Sequence, residues 1–169
     1  MLAGISEPVG GSLSALQAKA DVVLAWIGDP KKRFFCGQRG AGLAAKICNN
    51  YLSCSLLLAN SEAMATGIKL GLDRKVLYDV IANSTGQNFM LDNVCPAPGV
   101  IAHAPSSNGY RLGFKTQMLS KDIGLAIDAA RSVGIKPTIG EAAITVFDAA
   151  GKDPKCIVSI FLGIHRCAY

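Results

Sequence analysis

No proline falls between Pro30 and Pro96, and from Gly42 the apolar residues of this run recur at helical steps. Leu43, Ile47, Asn50 or Tyr51, Cys54, Leu58, and then Ser61 or Glu62 follow one another at three- and four-residue intervals, the spacing of one helical face. The pattern predicts a helix from about Gly42 to Leu70, closed by Gly67 or Gly71, because glycine just past the last periodic residue stops a helix. The run is apolar on more than one face, as expected when partners pack on two sides. A chain with such a spine is mainly α.

The flanks fit this frame. Asp73 reads as the N-cap of a second helix, Arg74 to about Asn83. Pro96 to Gly99 and His103 to Gly109 have loop chemistry. Thr116 to Val133 is helical again, ending near Gly134, and Gly140 to Ala150 follows. Asp153-Pro154 opens a last helix, with proline at its first position. Residues 4–30 read differently. Ile5 to Val9 and Asp21 to Ile27 are strand candidates, the second bounded by Gly28-Asp29-Pro30, and Arg33 to Cys36 is a third. Three short strands are expected at the edge of a larger sheet. No internal repeat and no low-complexity segment is present.

Composition narrows the function classes. The 169 residues suffice for one good core. Half are hydrophobic and only 17% are charged, which points to extra surface buried against another subunit, hence a homo-oligomer. No apolar run is long enough to span a bilayer. The net charge of +5 comes from basic residues that are scattered, apart from Lys31-Lys32-Arg33. Without a basic stripe interleaved with aromatics, nucleic acid is not an expected partner. The six cysteines form no CxxC pair and have no metal-ligand spacing with His103 or His165, so no metal is expected and the thiols read as reduced. The chain starts in strand-like sequence, with no secretory or Arg-rich leader segment.

Gly40-Ala41-Gly42 leads into the long helix, which then carries Lys46 and Asn50. A four-residue step puts both side chains on one helical face. A lysine that can change protonation state, beside an amide that both donates and accepts, is a proton-transfer pair. The same two residues also suit an ordinary solvated face. Gly40-Ala41-Gly42 with Ala45 imitates a dinucleotide fingerprint, with Glu62 near the place of its ribose carboxylate. That unit needs a parallel strand soon after its helix, and a second helix is expected here instead.

The run Gly-x-Gly-x-x-x-Lys-x-x-x-Asn resembles the catalytic helix of the 3-hydroxyisobutyrate dehydrogenase family. So do Ala63 to Asp73 and the stretch Gly113-Phe114-Lys115-Thr116-Gln117-Met118-Leu119-Ser120-Lys121-Asp122, in the same order and at the same spacing. The resemblance runs from about Pro8 to the C-terminus. It implies a helical bundle like the C-terminal domain of 6-phosphogluconate dehydrogenase, over residues 38–169, preceded in residues 1–37 by a β remnant of a Rossmann sheet. It implies NAD as cofactor, a small 3-hydroxy acid as substrate, and oxidation of 3-hydroxyisobutyrate to methylmalonate semialdehyde in valine catabolism, in the mitochondrion, with the cytoplasm as the alternative location.

By the same resemblance, Lys46 takes or returns the alcohol proton and Asn50 holds the substrate or the lysine. Phe114 and Lys121 contact the cofactor, and Asp122 orients Lys121 or caps its own helix. Gly10, Gly11 and Ser12 stand where the family holds the substrate carboxylate. The family's Pro-Val-Ser-Gly-Gly is here Pro8-Val9-Gly10-Gly11-Ser12, so the expected hydroxyl is displaced or lost and backbone N–H groups would carry the anion. The chain reads as a family member truncated at its N-terminus, without a helix between Asp29 and Phe34. Two other readings stay open: a non-catalytic helical interaction module, and a sister activity on tartronate semialdehyde, 6-phosphogluconate or a succinate semialdehyde.

Overall fold

The computed structural model describes residues 28–110 and 116–153. Helices dominate the described residues, and no strand occurs among them. The chain divides into two compact units, Met1–Lys46 and Ile47–Tyr169.

In the first unit, the Asp29 carboxylate accepts from the backbone N–H of Lys31 at 2.9 Å and caps a single 3-10 turn, Pro30–Lys32. The strand expected at Arg33 to Cys36 does not form. Phe34 and Phe35 are 81% and 94% exposed. Strand propensity measures fit to a pleated, half-buried surface, and Phe34 and Phe35 are not half-buried here. The strand candidates Ile5 to Val9 and Asp21 to Ile27 lie outside the described residues. Gly40, at φ +93°, turns the chain into the first helix, α1 (Ala41–Lys69), a conformation that glycine adopts without a Cβ clash.

Helix α1 has 29 residues, about 43 Å at 1.5 Å per residue. Its buried side in the second unit includes Cys54, Leu57, Ser61 and Met64, at steps of three and four. It stops at Gly71, not Gly67. The Leu72 N–H reaches the Gly67 carbonyl at 3.1 Å and the Gly71 N–H reaches Ile68 at 3.0 Å, with Gly71 at φ +93°. This is a Schellman stop. Gly67 serves close packing: a Cβ there would lie 2.5 Å from a Leu77 methyl.

Helix α2 (Arg74–Ala82) starts as expected, with the Asp73 carboxylate accepting from the N–H groups of Lys75 and Val76. A short helix, α3 (Phe89–Val94), was not expected from the sequence. Asn88 caps it, accepting from the Leu91 N–H at 3.0 Å. Helix α4 (Thr116–Ser132) and helix α5 (Thr138–Lys152) pack together as a hairpin. The last helix expected, from Asp153-Pro154, falls outside the described residues.

Two apolar clusters hold the second unit. Cys54, Leu57, Leu119, Ile123, Ala143 and Phe147 join α1, α4 and α5. Met64, Leu91, Cys95, Ala97 and Val100 join α1, α3 and the following loop. No strand interrupts α1, and α2 follows it directly, so the dinucleotide-fingerprint reading of Gly40-Ala41-Gly42 fails for want of its second strand.

Candidate active site

Lys46 and Asn50 lie on α1, which is unbroken between them. Lys46 is exposed and Asn50 half-buried. The helix repeat that made this pair recognisable also sets what comes next on the same side. Cys54, four residues beyond Asn50, is buried in the cluster against α4 and α5. Tyr51 turns toward α5, where its hydroxyl accepts from the Gly140 N–H at 2.9 Å. That N–H is in the first turn of α5, among the donors a helix cannot satisfy internally.

Asn50 has a partner that the sequence did not disclose. Its Nδ2 donates to Oδ2 of Asp122 on α4 at 3.1 Å. Asp122 was expected to orient Lys121 or cap its own helix. It does not cap, since α4 begins at Thr116, and its carboxylate engages α1. The contact joins residues 72 positions apart, and only the packing of α4 on α1 creates it. The one hint was the Lys121-Asp122 pair within the quoted motif.

The charge of Asp122 is also felt by Cys54. Burial pushes this thiol up to about 11, and the Asp122 carboxylate adds to the rise by disfavouring a second negative charge nearby. Cys54 is therefore a neutral core group at physiological pH. Cys95, in the other cluster, is also raised by burial, with a backbone hydrogen bond at Ala97 pulling the other way.

Lys121 is exposed on α4, beside Asp122 in sequence. Phe114, Gly10, Gly11 and Ser12 lie outside the described residues. The structure thus joins Asn50 to Asp122, and places Lys46 on the helix of the first and Lys121 on the helix of the second. Among the described residues, no group of three His, Cys, Asp or Glu side chains could hold a metal ion, and no helix is long and apolar enough to cross a membrane.

Comparison with known proteins shows the family. A sequence profile described as the NAD-binding domain of NADP-dependent 3-hydroxyisobutyrate dehydrogenase matches residues 40–155. A 3-hydroxyisobutyrate dehydrogenase of Pseudomonas aeruginosa is 42% identical over 143 residues, covering 85% of this chain and 47% of the relative. The mitochondrial 3-hydroxyisobutyrate dehydrogenase of Homo sapiens is 40% identical over 130 residues, covering 75% of this chain and 39% of the relative. The solved structure of Mycobacterium tuberculosis 3-hydroxyisobutyrate dehydrogenase with L-serine superposes with a TM-score of 0.80 at 34% identity. It covers 94% of this chain and 53% of that one. The chain therefore spans about half the length of the curated relatives it matches. With the profile matching residues 40–155 and the relatives about 40% identical over most of this chain, the chain belongs to the 3-hydroxyisobutyrate dehydrogenase family.

Proposed function

We propose that this chain forms the helical, catalytic part of an NAD-linked 3-hydroxy acid dehydrogenase, acting on 3-hydroxyisobutyrate to give methylmalonate semialdehyde. The observation that carries the reading is Asn50, set one helical step after Lys46 and fixed from α4 by Asp122. In this reading residues 38–169 are the catalytic and dimerisation domain and residues 1–37 belong to the nucleotide-binding sheet. The homo-oligomer rests on the apolar composition, the mitochondrial location and the place in valine breakdown rest on the resemblance, and the name of the human relative supports the location.

Lys46 is the acid–base group. Its neutral amine takes the proton of the substrate hydroxyl as the alcohol carbon becomes a carbonyl, and its ammonium returns that proton in reduction. Asn50 holds the hydroxyl-bearing end of the substrate within reach of Lys46. NAD, when bound, would supply the acceptor for the hydride that leaves the alcohol carbon. The chain offers groups that suit it: Lys121, exposed on α4, supplies a cation for a dinucleotide's phosphates, and Phe114 an apolar ring. Gly10 and Gly11 would hold the substrate carboxylate through backbone N–H groups, and Ser12 lies next to them.

The test joins this chain to the nucleotide-binding half of a family member. Lys46→Ala should lower kcat by about 10²–10⁴-fold, the usual contribution of a positioned acid–base group, while NAD binding is retained. An unchanged rate would overturn the mechanism. L-serine is assayed beside 3-hydroxyisobutyrate, because a solved relative was captured with it. Preference for L-serine would move the reading to the sister activity.

A further inference from the structure

We infer that Asp122 is a positioning residue that fixes which end of the Asn50 side-chain amide faces the substrate. The inference rests on the dehydrogenase reading above.

An asparagine amide is nearly symmetric in shape but opposite in chemistry at its two ends. One end donates and the other accepts. Left alone, Asn50 could present either end to a ligand. An ionised carboxylate carries acceptors only. The Asn50 atom 3.1 Å from Asp122 Oδ2 must therefore be the NH₂ group, whichever way the amide is drawn. Because the amide is planar, Oδ1 then faces away from Asp122.

Three further observations make this a fixed arrangement. The contact is partly buried, so water competes weakly and a bond to a charged acceptor keeps its strength. The helices that carry the two residues are locked together one turn away by Cys54, Leu57, Leu119 and Ile123. Cys54 sits within the electrostatic reach of the same carboxylate, so Asp122 is directed toward α1.

The consequence concerns what Asn50 recognises. An Oδ1 turned to the ligand accepts a hydrogen from a hydroxyl or an ammonium. It opposes a carboxylate, which would set acceptor against acceptor. Asn50 is thereby assigned to the donor-bearing carbon of a 3-hydroxy acid and not to its acid end.

The experiment uses the full chain in two settings. In the chain alone, NMR of the Asn50 side-chain amide protons should show a marked shift in Asp122→Asn. An unmoved resonance would overturn the inference. Joined to a family nucleotide-binding half, Asp122→Asn should lower kcat/KM for the hydroxy acid about tenfold, the scale of one charge-assisted hydrogen bond, with the KM for NAD unchanged. In an Asn50→Ala background the same substitution should add nothing, since residues acting as a unit are not additive. A full additional loss there would mean that Asp122 acts on the substrate itself, and would overturn the proposal. Asp122→Glu keeps a carboxylate and should retain more activity than Asp122→Asn. If it is equally impaired, the proposal fails, including where Asp122→Asn does not fold. Lys46→Ala separates the two levels: if it leaves turnover intact, the dehydrogenase reading fails whatever Asp122 does.

Discussion

The two apolar clusters of the second unit share α1 and differ in what closes them. The cluster of Leu57, Leu119, Ile123 and Phe147 is a seam between long helices. Two of its polar contacts reach across the seam: Asn50 to Asp122, and the Gly140 N–H to Tyr51. The cluster of Met64, Leu91, Cys95 and Val100 packs a short helix and a loop. Its loop is sewn to itself, with the Ser106 hydroxyl donating to the Cys95 carbonyl at 2.6 Å and the Asn108 amide donating to Ala102 and Ala104. Long helices leave their side chains free to meet a ligand, because their backbone groups are paired internally. A loop spends its side chains on its own backbone. The Asn50–Asp122 contact accordingly sits on the seam.

The contrast can be broken most sharply by Phe147→Ala. Phe147 is fully buried where the seam's helices meet, and its truncation should cost about 3–5 kcal/mol, measured by urea unfolding. Leu91→Ala in the other cluster should cost less, because truncating a leucine removes less buried volume than truncating a phenylalanine. A larger cost at Leu91 would reverse the ranking. Next in size is Gly140→Ala. Its Cβ would stand 2.7 Å from the Tyr51 ring and 3.1 Å from Ile127. A ring fixed by its own hydrogen bond cannot move aside freely, so a loss of about 1–3 kcal/mol is expected from overpacking. A gain in melting temperature would show that α5 is seated more loosely than described.

The smallest effect is invisible at neutral pH. Cys54 has its folded-state value raised from 9.0 to about 11, so the folded state favours the thiol over the thiolate. The stabilisation is fully present below pH 9 and is lost as pH rises toward 11. Stability measured across that window should fall, and less steeply in Cys54→Ala. Asp122→Asn should ease the ionisation of Cys54 and leave Cys95 unaffected, since the carboxylate acts only on the former. Equal changes at both thiols would erase the electrostatic difference between the clusters.

Local chemistry explains what the sequence disclosed. Asp73 marks the start of α2, Gly71 the stop of α1, and Gly134 the end of α4, each by a capping rule that acts over a few residues. Lys46 and Asn50 were visible for the same reason, since one helix sets their spacing. Helix α3 was hidden because six residues give too short a period to detect, and its cap, Asn88, reads as an ordinary loop residue. Arg33 to Cys36 has strand-like residues, yet forms no strand among the described residues. Asp122 could not be tied to Asn50 from sequence, because their contact depends on how α4 lies on α1.

Asn60 and Asn88 carry a last consequence. Each amide donates to the other's oxygen, at 2.9 and 3.0 Å, and Asn88 also caps α3. Neither can become aspartate alone, because two oxygens would then face each other with no hydrogen between them. The two amides therefore act as one part, and replacing either by an ionised aspartate is expected to loosen both the pair and the start of α3.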